Sequence, residues 1–255
     1  MRICALPPFE LSAALDAGGG QHERDACWRA HDVVRLRRLT VLDGEPVWVR
    51  DAFLSAPFAV VRRAQAASGF VAVGMRGSNR AQRYGTWVED AGIEFSVAPE
   101  ALVAREPLPG REQLPVFAAL AALRRASGCI AQFVWGPAGS VGFELATGTP
   151  TATGSSDLDL LIRTPDRLNH TAAARLLAEL LAYAQRAGVR VDAQLETPAG
   201  GVALAELAAG KPHVMARADA GPSLVADPWA AANENTKGGA HSATARPDAA
   251  VAGAR

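Results

Sequence analysis

The chain has 255 residues, and its 26 Lys+Arg balance its 26 Asp+Glu, leaving no net charge to recruit nucleic acid or an anionic membrane. Its three cysteines, Cys4, Cys27 and Cys129, are too few and too scattered for a disulfide framework or a metal-type spacing. No apolar run reaches the roughly 20 residues of a membrane helix, and residues 1–4 lack the apolar core of a secretory signal, so the expected location is cytoplasmic, with no nucleic acid and no membrane as partner.

Residues 1–28 carry Gly18-Gly19-Gly20 and little periodicity, and are expected to form a disordered extension. Residues 29–98 then read as a small β-rich N-terminal domain, with short apolar runs at 47–49, 58–61 and 69–74 set between turn residues. Arg62 and Arg63 follow the second run, and Arg76, Arg80 and Arg83 lie beside Gly74 and Gly77. This set is either a phosphate-binding surface, with guanidinium and backbone donors together, or a solvated basic loop. His31-Asp32 is equally open, as an oriented base or a structural pair. Residues 99–115 hold Pro99, Pro107, Pro109 and Pro115 and read as a linker entering a helix at 116–126.

The chemistry concentrates in residues 116–230. A strand is expected at 129–135, running into the glycine turn 136–139, with a short helix from Ser140 as N-cap to Gly148 as stop. Exposed amides at such a turn can cradle a polyphosphate; otherwise Gly139 and Ser140 only turn and cap the chain. The run 157–162 then places two acids one residue apart, so in a strand Asp157 and Asp159 share one face while Leu158 and Leu160 enter the core. Carboxylates held that close repel unless a cation lies between them, and hard oxygen donors suit Mg²⁺ on a substrate's phosphates. Thr164-Pro165-Asp166 reads as a helix start, 172–187 as a helix ending at Gly188, and 189–196 as a strand with polar even positions. Asp192 is the third candidate acid, and periodicity alone does not separate it from Glu196 on the same face.

A Gly-Ser turn followed by Asp-x-Asp and a later single Asp resembles the nucleotidyltransferase superfamily of the DNA polymerase beta type. Sixteen residues (141–156) separate Ser140 from Asp157, more than in its minimal members. A narrower resemblance accommodates that spacing. Gly139-Ser140 through Gly148, with Ser156 to Leu161, is similar to the malonate decarboxylase holo-acyl-carrier-protein synthase family, also called phosphoribosyl-dephospho-CoA transferase. So, in order, are His31-Asp32, the stretches 57–63, 73–77 and 191–198, Gly221-Pro222 and Asp227-Pro228-Trp229. Where that family has Trp-Gln after the turn, this chain has Phe143-Glu144, which would set an extra acid near the phosphates.

The resemblance implies an α/β (α+β) fold: a nucleotidyltransferase-like mixed sheet with flanking helices at 116–230 beside the β-rich domain. It implies Mg²⁺ held by Asp157, Asp159 and Asp192, and phosphates held by Gly139, Ser140 and the arginines 62, 63, 76, 80 and 83. The implied donor is 2'-(5''-triphosphoribosyl)-3'-dephospho-CoA, and the implied acceptor a serine of the apo acyl-carrier protein subunit of malonate decarboxylase or a related carrier. Two other readings stay open: another nucleotidyltransferase using ATP or another nucleotide, and a non-catalytic interaction protein with the same fold. Residues 231–255, rich in Ala, Gly, Asn and Thr, are expected to be a disordered tail.

Overall fold

The computed structural model describes residues 3–7, 28–40, 42 and 44–230. The expectations for the tail 231–255 and for most of 1–28 lie outside these residues. Within the expected N-terminal extension, however, Ile3–Cys4 forms a short strand (β1). It pairs parallel to β5 at Tyr84 and Gly85, because β5 would otherwise leave an edge of backbone donors and acceptors open.

The N-terminal sheet contains β1, β2 (Val33–Leu36), β3 (Phe58–Val61), β4 (Phe70–Arg76), β5 (Arg83–Glu89) and β6 (Ile93–Val97), in the order β1-β5-β4-β3-β2-β6. Its core gathers Val34, Ala59, Val73, Met75 and Tyr84. Residues 47–49, expected as a strand, instead begin helix α1 (Val47–Ser55). Pro46 sits at its N-cap, and Trp48, Val49 and Phe53 recur at helical spacing against that core.

The second sheet contains β7 (Val134–Pro137), β8 (Leu158–Arg163), β9 (Val191–Thr197), β10 (Gly200–Ala203), β11 (Val214–Ala218) and β12 (Gly221–Val225), in the order β12-β11-β10-β9-β8-β7. Only β8 and β9 run parallel, and a parallel pair needs a crossover. That crossover is helix α4 (His170–Ala187), which buries Ala173, Leu176, Leu180 and Ala184 along one stripe and stops at Gly188 in the left-handed conformation (φ 68°). Its start lies later than Thr164-Pro165-Asp166: Asn169 caps it by accepting from the Ala172 amide at 2.9 Å. Thr164 is tied elsewhere, through its hydroxyl to the Glu196 carbonyl and through its own carbonyl to the Trp229 indole.

Helices α2 (Pro115–Arg124) and α4 cover one face of this sheet, where Leu158, Leu160, Ile162, Ala193 and Leu195 meet Val116, Leu120, Leu176 and Leu180. The strand expected at 129–135 is shorter. Cys129–Gln132 forms a 3₁₀ turn, held by the Glu179 carboxylate of α4 on the amides of Cys129 and Ile130. Residues 99–115 are not a free linker: Pro99–Leu102 forms another 3₁₀ turn, Leu102 is buried in the second core, and Arg111 reaches the buried Glu144. Among the described residues the other α-helices are α3 (Gly139–Thr147) and α5 (Leu204–Ala208).

Candidate active site

The face of the second sheet away from α2 and α4, turned toward the N-terminal sheet, carries the candidate acids. In the parallel β8–β9 pair, Asp159 stands directly opposite Asp192, Leu161 opposite Gln194 and Arg163 opposite Glu196. Neighbouring strands lie about 4.8 Å apart, so Asp159 and Asp192 share one spot although they are distant in sequence. Asp157 lies one residue before β8. All three line a cavity of about 820 Å³, together with Gly139, Ser140, Arg76, Arg80 and Arg83. Burial, then the charges of Asp192 and Asp157, pushes the Asp159 carboxyl up to about 6.

Helix α3 starts against this cluster. The Ala138 amide donates to the Asp159 carbonyl at 2.8 Å, and the chain turns into the helix at Gly139 with φ 59°. A Cβ there would stand 1.8 Å from Asp159 Oδ2, so the close approach of carboxylate and backbone demands glycine. The helix begins two residues before the start expected from Ser140 as N-cap: Ala138 is the N-cap, with no side-chain cap. Gly142 is the first amide to bond back, to the Ala138 carbonyl, which leaves the Gly139, Ser140 and Val141 amides without an intrahelical acceptor beside the acids.

Positive charge comes from the other sheet and from Arg190 beside β9. Arg76 stacks on the Phe143 ring at 5.1 Å and points Nη1 at the Gly139 carbonyl, 3.5 Å away, while its Nε is buried without a partner among the described residues. Burial and neighbouring Arg83 pull its pKa down to about 10. Arg80 Nη2 lies 3.6 Å and Arg190 Nε 3.8 Å from the Asp157 carboxylate. Neither Phe143 nor Arg190 stood out as a site residue in the sequence; an aromatic at the fifth helical position and an arginine one strand away give no local signal.

Two expectations meet different surroundings. Arg63 does not line the acid cavity: its guanidinium is ion-paired with Glu196 and fills the seam between the sheets. His31, in the left-handed region at φ 74°, joins that seam rather than Asp32, whose carboxylate accepts from the Arg29 amide at 2.9 Å. With its amide turned so that the oxygen faces these donors, Gln194 accepts from Arg63 Nη1 and Nη2 and from His31 Nε2, at 2.9–3.0 Å. Burial and Arg63 lower His31 to about 4, so the ring is neutral. Glu144 turns away from the phosphate side. It is fully buried and paired with Arg111, and it accepts from the Thr151 and Ala152 amides at 2.8 Å.

Among the described residues no three His, Cys, Asp or Glu side chains are already drawn round one point as a metal cage; Asp157 is turned to its two arginines. The donor set itself fits a hard divalent ion, because three carboxylates front one cavity and two of them are in register and mutually repelling. No described helix is long and apolar enough to cross a membrane.

Comparison with known proteins bears on this arrangement. The family model described as phosphoribosyl-dephospho-CoA transferase MdcG C-terminal domain matches residues 102–228, and that of its N-terminal domain matches 29–99. The chain is 43% identical over 187 residues to the phosphoribosyl-dephospho-CoA transferase of Pseudomonas aeruginosa, covering 73% of this chain and 86% of that protein. It is 41% identical over 207 residues to that of Pseudomonas putida (strain GB-1), covering 80% and 96%. For that of Azotobacter vinelandii, identity is 38% over 214 residues, covering 82% and 97%. No solved structure matches the chain significantly. The α/β chain with its two sheets therefore belongs to the phosphoribosyl-dephospho-CoA transferase family, a family of transferase enzymes.

Proposed function

We propose that this transferase moves the 2'-(5''-phosphoribosyl)-3'-dephospho-CoA group from 2'-(5''-triphosphoribosyl)-3'-dephospho-CoA to a serine hydroxyl on the apo acyl-carrier subunit of malonate decarboxylase. The hydroxyl oxygen forms a bond to the α phosphorus, the bond from that phosphorus to pyrophosphate breaks, and the hydroxyl proton is released to solvent. The observation that carries the reading is the register of Asp159 opposite Asp192, facing the free amides at the head of α3.

Asp157, Asp159 and Asp192 would hold Mg²⁺, which supplies charge neutralisation to the triphosphate and to the departing pyrophosphate. The amides of Gly139, Ser140 and Val141 receive phosphate oxygens, aided by the positive end of the helix. Arg76, Arg80 and Arg83 line the same cavity and add fixed positive charge. Arg80, 3.6 Å from the Asp157 carboxylate, would meet a phosphate oxygen in the same cavity. Donor and acceptor are thus held for in-line displacement, and the chain needs no covalent step of its own.

Incubation with Mg²⁺, apo carrier protein and the triphosphoribosyl donor or ATP, followed by mass measurement of the carrier, tests the reading. A carrier heavier by the phosphoribosyl-dephospho-CoA group is expected. Addition of AMP instead assigns a different nucleotidyltransferase, and an unchanged carrier with either donor argues for a non-catalytic protein.

A further inference from the structure

A second cavity, of about 430 Å³, opens beside the acid pair, with the N-terminal sheet on one side and Ala138, Leu160 and Gln194 on the other. On the N-terminal side Gly74 of β4 and Gly85 of β5 stand directly opposite each other and clear a track across the sheet. Arg62 lies in that track. A Cβ on Gly85 would come within 2.7 Å of Arg62 Nη1, and one on Gly74 within 3.4 Å of Arg62 Cδ.

The Arg62 side chain is fixed along its length. Its Nε donates to the Val73 carbonyl at 3.0 Å, its guanidinium carbon sits 5.5 Å from the Trp87 ring centroid, and Nη2 lies 3.7 Å from Cys4 Sγ. None of these partners is anionic, and among the described residues no carboxylate pairs with it, although it fronts the cavity. Its neighbour Arg63 is saturated by Glu196. A rigid guanidinium with no counter-charge is preorganised for an anion, since little side-chain entropy is lost on binding. The same cavity is lined by the apolar Val60, Met75 and Leu160, which suit sugar and base, and by Arg76 and Arg83.

We infer that Arg62 receives a second anionic group of the donor, the diphosphate of its dephospho-CoA portion. It thereby separates a donor with two spaced phosphate groups from a simple nucleoside triphosphate. This rests on the donor proposed above. The test uses dephospho-CoA alone, without Mg²⁺, so that the carboxylates repel its diphosphate and neither turnover nor the triphosphate is involved. Calorimetric titration of the full chain is expected to show dephospho-CoA binding about tenfold or more tighter than adenosine. Arg62→Gln should erase that preference while leaving adenosine binding within error, in a chain whose circular-dichroism spectrum shows it still folded at the titration temperature, and Arg62→Lys should restore part of it. An Arg62→Gln protein that keeps the preference, or a native chain with none, overturns the inference. Carrier labelling by the native chain in parallel keeps the two readings apart: prosthetic-group transfer with binding indifferent to Arg62 sinks only the role of Arg62, whereas AMP transfer from ATP sinks both.

Discussion

Asp159 is held from three sides: its strand neighbour is Asp192, its carbonyl takes the Ala138 amide, and its carboxylate rests against Gly139. Asp159→Asn keeps nearly the same volume and removes one charge. Carrier labelling should fall about 10³-fold, the several kcal/mol a metal-held charge supplies, with a circular-dichroism melt no lower than the native chain's, since the repelled charge is removed; full labelling would sink the assignment. Gly139→Ala has no such neutral outcome, since it must displace the carboxylate or abandon φ 59°. A loss of about 2 kcal/mol of stability together with loss of labelling is expected in urea titration and mass assay. That two of the acids share one face was legible in the sequence, because side chains alternate in a strand and Asp157 and Asp159 stand two residues apart in an otherwise apolar run. Arg63 was not, because charge in a sequence does not say which sheet it will face; Glu196, 133 residues away, settles its place.

At the scale of elements, the crossover helix was readable from its Ala/Leu stripe and terminal glycine, and β9 from its clean alternation. The strand once expected at 47–49 failed because three consecutive apolar residues fit either period, and the turn at 129–132 because the Glu179 side chain, invisible locally, captures its amides. Leu180 faces the core fully buried on α4, so Leu180→Ala should cost about 3 kcal/mol by urea midpoint. Helix α3 and the segment before β8 are joined by Glu144. Burial alone would raise this carboxyl, but Arg111 and the amides of Ala152 and Thr151 outweigh it and hold it below the ordinary range. A depressed carboxyl contributes stability above its unfolded value and loses it as pH falls through the folded one. Glu144→Gln should therefore cost about 3 kcal/mol at pH 7 and flatten the acid limb of the stability curve, measured as urea midpoints from pH 7 down to 3. An unchanged acid limb would remove Glu144 from the account.

Across the whole molecule, the two sheets meet through Arg63 on Glu196, His31 on Gln194, and Glu100 between Arg29 and Arg163. A double-mutant cycle of Arg63→Gln and Glu196→Gln should give a coupling of about 1–3 kcal/mol in unfolding free energy; additive changes would mean that the seam carries no such link. None of these pairings could be read from spacing, because each joins side chains from different sheets or flanking turns. Pro99–Leu102, read at first as a connector, belongs to the second core. Of the candidate groups, the carboxylates and the head of α3 come from one sheet, and Arg62, Arg76, Arg80 and Arg83 from the other. Splitting the polypeptide near residue 98 would consequently leave two pieces that are each inert. Mixing them would restore labelling only through encounter, with a velocity that climbs with the concentration of the second fragment until they saturate one another.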